Sequence, residues 1–130
     1  DSDAEWNIAY AHHPMYSSGG RHGSEVDLRT IVEPLFLKYG VNVVFAGHEH
    51  FYERLKPQKG IHYFTSGGAA KLRDGDIITG GLTAKGLDTD RSFMLVEIDG
   101  DVLRFQAISR LGKVVDSGEI LQPAKPVPTS

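Results

Sequence analysis

Residues 41–47 read Val41-Asn42-Val43-Val44-Phe45-Ala46-Gly47, and this run says more about the fold than any other segment. It is rich in β-branched and aromatic residues, which is typical of a strand covered on both faces. A shorter apolar run, Trp6–Ala11, precedes it and ends where His12-His13-Pro14 begins, because proline cannot donate to a sheet ladder. Between the two runs, apolar residues recur at helical spacing and stop at Gly40. A strand, a helix and a strand predict a parallel βαβ unit.

The predicted helix has a defined beginning and one irregularity. Its apolar residues fall at positions i, i+3, i+4, i+7 and i+8, namely Leu28, Ile31, Val32, Leu35 and Phe36. Ser24 is expected to cap its N-terminus, with Asp27 at the capping-box position. Pro34 removes one backbone hydrogen bond, so we expect a kink or a break near residues 30–34.

The second half of the chain is predicted to consist mainly of strands. Ile61–Ser66 is a third strand, and the following loop, from Gly68 to Arg91, is long enough to be a functional flap. Three segments separated by short turns predict an antiparallel meander: Ser92–Ile98, Val102–Ile108 and Val114–Leu121. We therefore expect an α/β domain over residues 1–121 and an extended or disordered proline-rich tail over 122–130.

Composition excludes several classes of protein. The 130 residues contain no cysteine, which rules out disulfides, thiolate metal sites and a cysteine nucleophile. A formal net charge of −3 with no long basic run argues against a nucleic-acid partner. No apolar stretch approaches the roughly 20 residues that span a bilayer, so no membrane partner is expected.

Histidines concentrate at the ends of the predicted strands. The sequence has six, and five of them lie at or just beyond strand ends or in the glycine-rich loop: His12, His13, His22, His48 and His50. Ligands of open parallel sheets bind outside the carboxyl ends of the strands, so these five are expected to converge on one rim. The sixth, His62, lies within a predicted strand and is expected to be a packing residue.

The segment Gly47-His48-Glu49-His50 is the most specific of these motifs. Two imidazoles one residue apart can face a common side, and neutral imidazole is the commonest transition-metal ligand. The alternative is a pair of solvated loop histidines, because His-x-His is easily matched by chance. His12, at the end of the adjacent parallel strand, supplies a third imidazole and favours a metal site.

These motifs together resemble one known family. The segments that carry the resemblance are His12-His13-Pro14, Tyr16-Ser17-Ser18-Gly19, His22-Gly23 and Gly47-His48-Glu49-His50-Phe51-Tyr52-Glu53-Arg54. Their order and spacing are similar to the C-terminal half of the calcineurin-like metallophosphoesterases, and most of all to the purple acid phosphatase branch. The resemblance covers about residues 6–68 and implies the C-terminal half of a four-layer αββα sandwich.

The resemblance also implies roles for individual residues. His12 and His48 would be ligands of one metal of a dinuclear centre, which in this branch pairs Fe with Zn, Mn or Fe, and His50 would be a ligand of the other metal. His22 would contact the substrate phosphate and protonate the leaving group, since a cationic imidazole can do both. His13 has a weaker claim as a substrate-side residue and is expected to lie at the rim of the site. Arg54 could reach the phosphate, although a strand-end ion pair is an equal alternative.

One departure from the family pattern is large. The family's first three motifs, Asp-x-His, Gly-Asp-x-x-Asp or -Tyr, and Gly-Asn-His-Glu or -Asp, are absent from the sequence, and with them the metal-bridging carboxylate. We therefore expect a metal-dependent phosphatase of phosphate monoesters to which this chain supplies only the histidine motifs. The partner would be a missing N-terminal half or a second chain, and this chain alone would hold at most one metal. The alternatives are a non-catalytic module that binds at most one metal and, less favoured, a structural zinc domain. Only the resemblance favours a secreted or periplasmic location.

Overall fold

The computed structural model describes residues 6–20, 23–69, 72, 74–77 and 81–122. They form one helix and eight strands: β1 Ile8–Ala11, α1 Val26–Lys38, β2 Val43–Ala46, β3 Tyr52–Leu55, β4 His62–Ser66, β5 Thr83–Leu87, β6 Ser92–Asp99, β7 Val102–Ser109 and β8 Val114–Leu121. His22 and the predicted tail, residues 123–130, lie outside the described residues. No helix in the described ranges is long and apolar enough to cross a membrane.

The strands form two sheets. The first has the order β1-β2-β4-β3-β5, in which β1, β2 and β4 are parallel while β3 is antiparallel to both of its neighbours. The second is an antiparallel meander of β6, β7 and β8. The predicted βαβ unit and the predicted meander are therefore confirmed.

The five-stranded sheet is covered on both faces, as the apolar run 41–47 predicts. Side chains alternate across β2, so Val43 packs against Leu103 and Phe105 of the meander. Val44 lies in a separate core on the opposite face, where the helix residues Leu28, Val32 and Phe36 pack. Helix, mixed sheet and meander sheet are three of the four layers in the expected αββα arrangement.

The helix departs from the sequence prediction at its start and along its apolar face. Glu25, not Ser24, is the N-cap residue, because the Ser24 hydroxyl is hydrogen-bonded to the backbone of Ser17. Of the predicted apolar positions, Leu28, Val32 and Phe36 are half-buried against the sheet, whereas Ile31 and Leu35 are exposed.

Pro34 does not break the helix, which continues to Lys38. The proline and Thr30, whose carbonyl loses its partner, are both exposed on the same side of the helix. Water can therefore satisfy that carbonyl, so the helix tolerates the missing bond.

Two strands were not predicted. β3 falls within the histidine motif and β5 within the predicted flap, and each is only four or five residues long. They pair with each other, from Tyr52 opposite Leu87 to Leu55 opposite Thr83. Such short strands carry too little periodicity to be recognised before their pairing partners are known. The flap prediction is thus wrong for 83–87, which extend the sheet.

Candidate metal centre

Three histidines meet at the carboxyl end of the parallel strands. Residues 11 and 46 are paired in the β1–β2 ladder, and the Gly47 N–H donates to the His12 carbonyl at 3.1 Å. This register brings His12 and His48 side by side, one residue beyond the end of β1 and two beyond the end of β2. One nitrogen each of His12, His13 and His48 lies within 4.8 Å of the others. Among the described residues, no other set of three potential ligands is that close.

His48 stands in an unusual backbone conformation. Its φ is +65°, and the Glu49 N–H donates to the Gly47 carbonyl at 2.7 Å, which closes a γ-turn centred on His48. The positive-φ γ-turn is rare and costs a non-glycine residue about 1–3 kcal/mol. Strain of this kind concentrates at functional sites, and here it turns the His48 ring towards the rings of His12 and His13, whose centroids lie 5.1 and 4.3 Å away.

His13 has a carboxylate neighbour. Its Nδ1 lies 3.3 Å from Glu25 Oε1, and both side chains are about two-fifths exposed. A second tie joins the same segments, because the Glu25 N–H donates to the Pro14 carbonyl at 3.1 Å. The start of α1 therefore holds the His13 ring from outside the cluster.

The segment that carries His50 is held against the end of β4. A side chain at Gly67 would place its Cβ 1.8 Å from the Glu49 carbonyl oxygen, so only glycine permits this approach. The Gly67 N–H donates to the Phe51 carbonyl at 3.0 Å. The sequence pattern marks Gly67 only as the end of a strand, yet its missing Cβ makes room for the histidine loop.

His50 is not part of the close cluster of three. Its Nδ1 is buried and has no hydrogen-bond partner among the described residues. Buried polar atoms without partners are rare in folded proteins, and such an atom is often the contact point of a bound ligand or ion. The histidine therefore offers a nitrogen to a group that the described residues do not supply.

Glu53 is a site residue whose role the sequence did not reveal. It is completely buried and accepts hydrogen bonds from the Ser18 N–H at 3.0 Å and the Thr83 hydroxyl at 2.7 Å. Ser18 and Thr83 are also joined through their hydroxyls at 2.6 Å. The carboxylate thus fastens the glycine-rich loop to β5, instead of reaching solvent.

Arg54 bonds to the meander. Its guanidinium donates twice to Asp116 of β8, at 2.8 and 3.2 Å, and Tyr52 donates to the same carboxylate at 2.6 Å. Burial alone would raise the pKa of Asp116, but the bonds from Arg54 and Tyr52 outweigh it and lower that pKa. Burial and the bond to Asp116 raise the pKa of Tyr52. The ion-pair alternative for Arg54 thus describes its contacts, and the substrate-binding prediction gains no support from them.

Another buried carboxylate connects the helix to the sheet and to the loop after β1. Glu33 accepts hydrogen bonds from Tyr16 at 2.6 Å and Tyr63 at 2.8 Å, and Lys59 Nζ lies 3.0 Å away. Burial and the Glu33 bond raise the pKa of Tyr16 to about 12. Both tyrosines are therefore buried packing residues whose hydroxyls are satisfied by Glu33.

The remaining predicted histidines add little to the site. His62 lies in β4, and burial, helped by the charge of Arg54, lowers its pKa. This agrees with a packing role. His22 lies outside the described residues, so its role stays a prediction.

Known proteins share both the sequence motifs and the fold. Residues 1–52 match the model of the calcineurin-like phosphoesterase family. Purple acid phosphatase 12 of Arabidopsis thaliana, an Fe(3+)-Zn(2+) enzyme, is 44% identical over 63 residues, which are 48% of this chain and 13% of that protein.

Two solved structures show the same fold at lower identity. A purple acid phosphatase from yellow lupin seeds, PPD1, matches with a TM-score of 0.75 and 24% identity over 89% of this chain and 25% of its own. GAP50, the anchor in the inner membrane complex of Plasmodium, matches with a TM-score of 0.78 and 22% identity over 94% of this chain and 38% of its own.

The family-model match and the histidine motifs agree: over residues 1–52 the chain is similar to the calcineurin-like phosphoesterases. Among its relatives are purple acid phosphatases, to which it is similar over 63 residues, as the motif resemblance predicts. It spans only a small part of the length of those relatives.

Proposed function

We propose that this chain supplies the C-terminal histidine motifs of a metal-dependent phosphatase that hydrolyses phosphate monoesters. The observation that carries the proposal is the meeting of His12 and His48 at the end of two parallel strands, in a chain whose residues 1–52 match this family's model. The substrate class follows from the purple acid phosphatase relatives. A secreted or periplasmic location is supported by the family resemblance alone.

The residues of the cluster fit one metal ion. Imidazole nitrogens suit borderline divalent ions such as Zn²⁺, and the buried, unpartnered Nδ1 of His50 is a reasonable ligand position for a second ion. The close cluster contains no carboxylate among the described residues, and the three acidic motifs are absent from the sequence. A dinuclear centre of Fe with Zn, Mn or Fe therefore needs ligands from an N-terminal half or from a second chain.

Each predicted site residue would have a definite role. Bound metal ions would supply Lewis-acid stabilisation of the phosphoryl charge. His12 and His48 would hold one ion and His50 the other, while His22 would contact the phosphate and give its proton to the leaving alcohol oxygen. Glu53 would keep the loop that leads towards His22 in place through Ser18.

The proposal is tested by restoring the missing motifs. The 130-residue chain alone should hydrolyse p-nitrophenyl phosphate poorly or not at all with added Zn²⁺, Fe²⁺ or Mn²⁺. The same chain fused to the part of Arabidopsis purple acid phosphatase 12 that precedes its matched segment should turn over faster by orders of magnitude. In that hybrid, His22→Ala should lower kcat by about 10²–10⁴-fold. His62→Ala is the matched control and should leave kcat nearly unchanged.

Two results would contradict the proposal. Metal-dependent turnover by the 130-residue chain, abolished by His48→Ala, would show that the chain needs no further ligands. A folded, metal-loaded hybrid without turnover would instead favour the non-catalytic, single-metal module.

A further inference from the structure

We propose that His13 is the third protein ligand of the ion held by His12 and His48, so that this chain binds one divalent ion through three imidazoles. The family resemblance gives His13 no metal role and couples His12 only with His48. The inference deepens the proposed function at the same site, but it does not depend on phosphatase activity.

The first argument is the spacing of the donor atoms. In a tetrahedral zinc site with bonds of about 2.0–2.1 Å, two ligand nitrogens lie roughly 3.4 Å apart. The three imidazoles, with nitrogens within 4.8 Å of one another, are therefore a little wider than a loaded site. The His13 and His48 rings are stacked, with centroids 4.3 Å apart and planes 11° apart, so one of them must rotate before both lone pairs face a shared ion. His12 is exposed and the other two are half-buried, which leaves room for this rotation.

The second argument is the tautomer that Glu25 favours. A carboxylate next to Nδ1 favours a proton on that nitrogen, which leaves the Nε2 lone pair available. Metal-binding histidines almost always donate their other ring N–H to a carboxylate, a carbonyl or water. Glu25 is in position to do this for His13.

The third argument is the rigidity of the backbone that carries His13 and Glu25. The residue before a proline is restricted to extended conformations, and His13 precedes the buried Pro14. The Pro14 carbonyl accepts the N–H of Glu25, so the ligand and its orienting carboxylate are tied through adjacent backbone. A rim histidine would need neither constraint.

The donor set defines which ions the site takes. Three imidazoles without a carboxylate suit Zn²⁺, Co²⁺, Ni²⁺ or Cu²⁺, whereas Mg²⁺ and Ca²⁺ prefer oxygen ligands. A tetrahedral ion would keep one position open to water or to a phosphate oxygen.

The test is metal binding by the 130-residue chain, measured without any substrate. Calorimetric titration with Zn²⁺ should give one ion per chain, and Co²⁺ should give the intense visible absorption of a tetrahedral site. His13→Ala should weaken Zn²⁺ binding by more than about 100-fold and abolish the tetrahedral Co²⁺ spectrum. Glu25→Ala should cost about 10–100-fold and leave the spectrum tetrahedral, as for an orienting partner.

The controls separate this inference from its alternatives. His62→Ala should bind Zn²⁺ as tightly as the unmodified chain, with circular dichroism confirming that the variant is folded. Tight binding by His13→Ala with an unchanged Co²⁺ spectrum would overturn the inference, and so would the absence of Zn²⁺ binding by the folded, unmodified chain. Failure of the hybrid phosphatase would leave these results unchanged, so the two proposals fail separately.

Discussion

At the scale of single residues, close backbone approach shapes the candidate metal centre. His48 adopts a positive φ, and Gly67 lies against the Glu49 carbonyl at a distance that no side chain permits. The two features belong together, because the γ-turn pushes the Glu49 backbone towards the end of β4. The direction of the His48 ring therefore depends on Gly67, which lies almost twenty residues further along the chain.

We predict that Gly67→Ala is destabilising by about 1–3 kcal/mol or more, because the added methyl group must displace backbone and not a flexible side chain. Gly81→Ala is the matched control, since a Cβ at Gly81 meets nothing within 4 Å, and it should change the free energy of unfolding by less than about 0.5 kcal/mol. Urea denaturation measures both. Equal stability of the two variants would refute the close-approach argument.

At the scale of elements, a buried carboxylate joins the two sheets. Asp116 of β8 accepts bonds from Tyr52 and Arg54 of β3, so the strand that follows the histidine loop is fastened to the meander. Glu33 does the same between α1 and β4 through Tyr63. Each outer layer thus reaches the central sheet through a polar contact as well as through apolar packing.

Asp116 should make stability depend on pH in the acid range. Its pKa is lower in the folded chain than in the unfolded chain, so its contribution is complete above the unfolded value of about 3.9. That contribution is lost as the pH falls from about 4 through the folded pKa. Asp116→Asn should be less stable at pH 7, and the stability difference from the unmodified chain should shrink below about pH 4. Chemical denaturation at several pH values measures this, and a pH-independent difference would contradict it.

The helix offers a stabilising substitution. Pro34→Ala restores a backbone N–H on the exposed side of α1, which stabilises the helix, although it also makes the unfolded chain more flexible. We expect the free energy of unfolding to rise by about 1–2 kcal/mol on balance. Pro57→Ala, in an exposed loop, is the control and should not stabilise. Thermal denaturation distinguishes them. A lower Tm for Pro34→Ala would show that the proline suits the helix as it stands.

At the scale of the whole molecule, the described residues leave an apolar edge. β1 is the outer strand of its sheet, and Tyr10 on it is 80% exposed. A cleft of about 420 Å³ opens beside it between the two sheets, lined mainly by Ile8, Tyr10, Phe45, Met94, Val96 and Ile98. Unpaired strand edges beside apolar surface favour association.

We therefore predict that the 130-residue chain dimerises, swaps strands or aggregates as its concentration rises. Tyr10→Lys should reduce association by placing a charge on the β1 edge, whereas Leu111→Lys, at an equally exposed apolar position in the turn between β7 and β8, is the control. Light scattering over a concentration series measures the mass. A stable monomer at high concentration would count against this prediction.

The βαβ unit and the meander could be predicted from sequence alone. Apolar periodicity, glycine and proline positions are local properties, and parallel strands with a helix between them end on the same rim. The juxtaposition of His12 and His48 follows from that rule, since each closely follows one of two neighbouring strands. The family resemblance could also be recognised from the sequence alone, because its motifs are short and contiguous.

Only the tertiary structure decided how the other side chains are used. The His13 ring is oriented by Glu25, which lies twelve residues away in the chain and beside its Nδ1. The Arg54 guanidinium bonds to Asp116, which lies sixty-two residues away. Glu53 was buried by β5, a strand too short to be predicted. The direction of a side chain at these positions depends on partners distant in the chain and on the φ of single residues. A local sequence pattern reveals neither the distant partners nor these φ values.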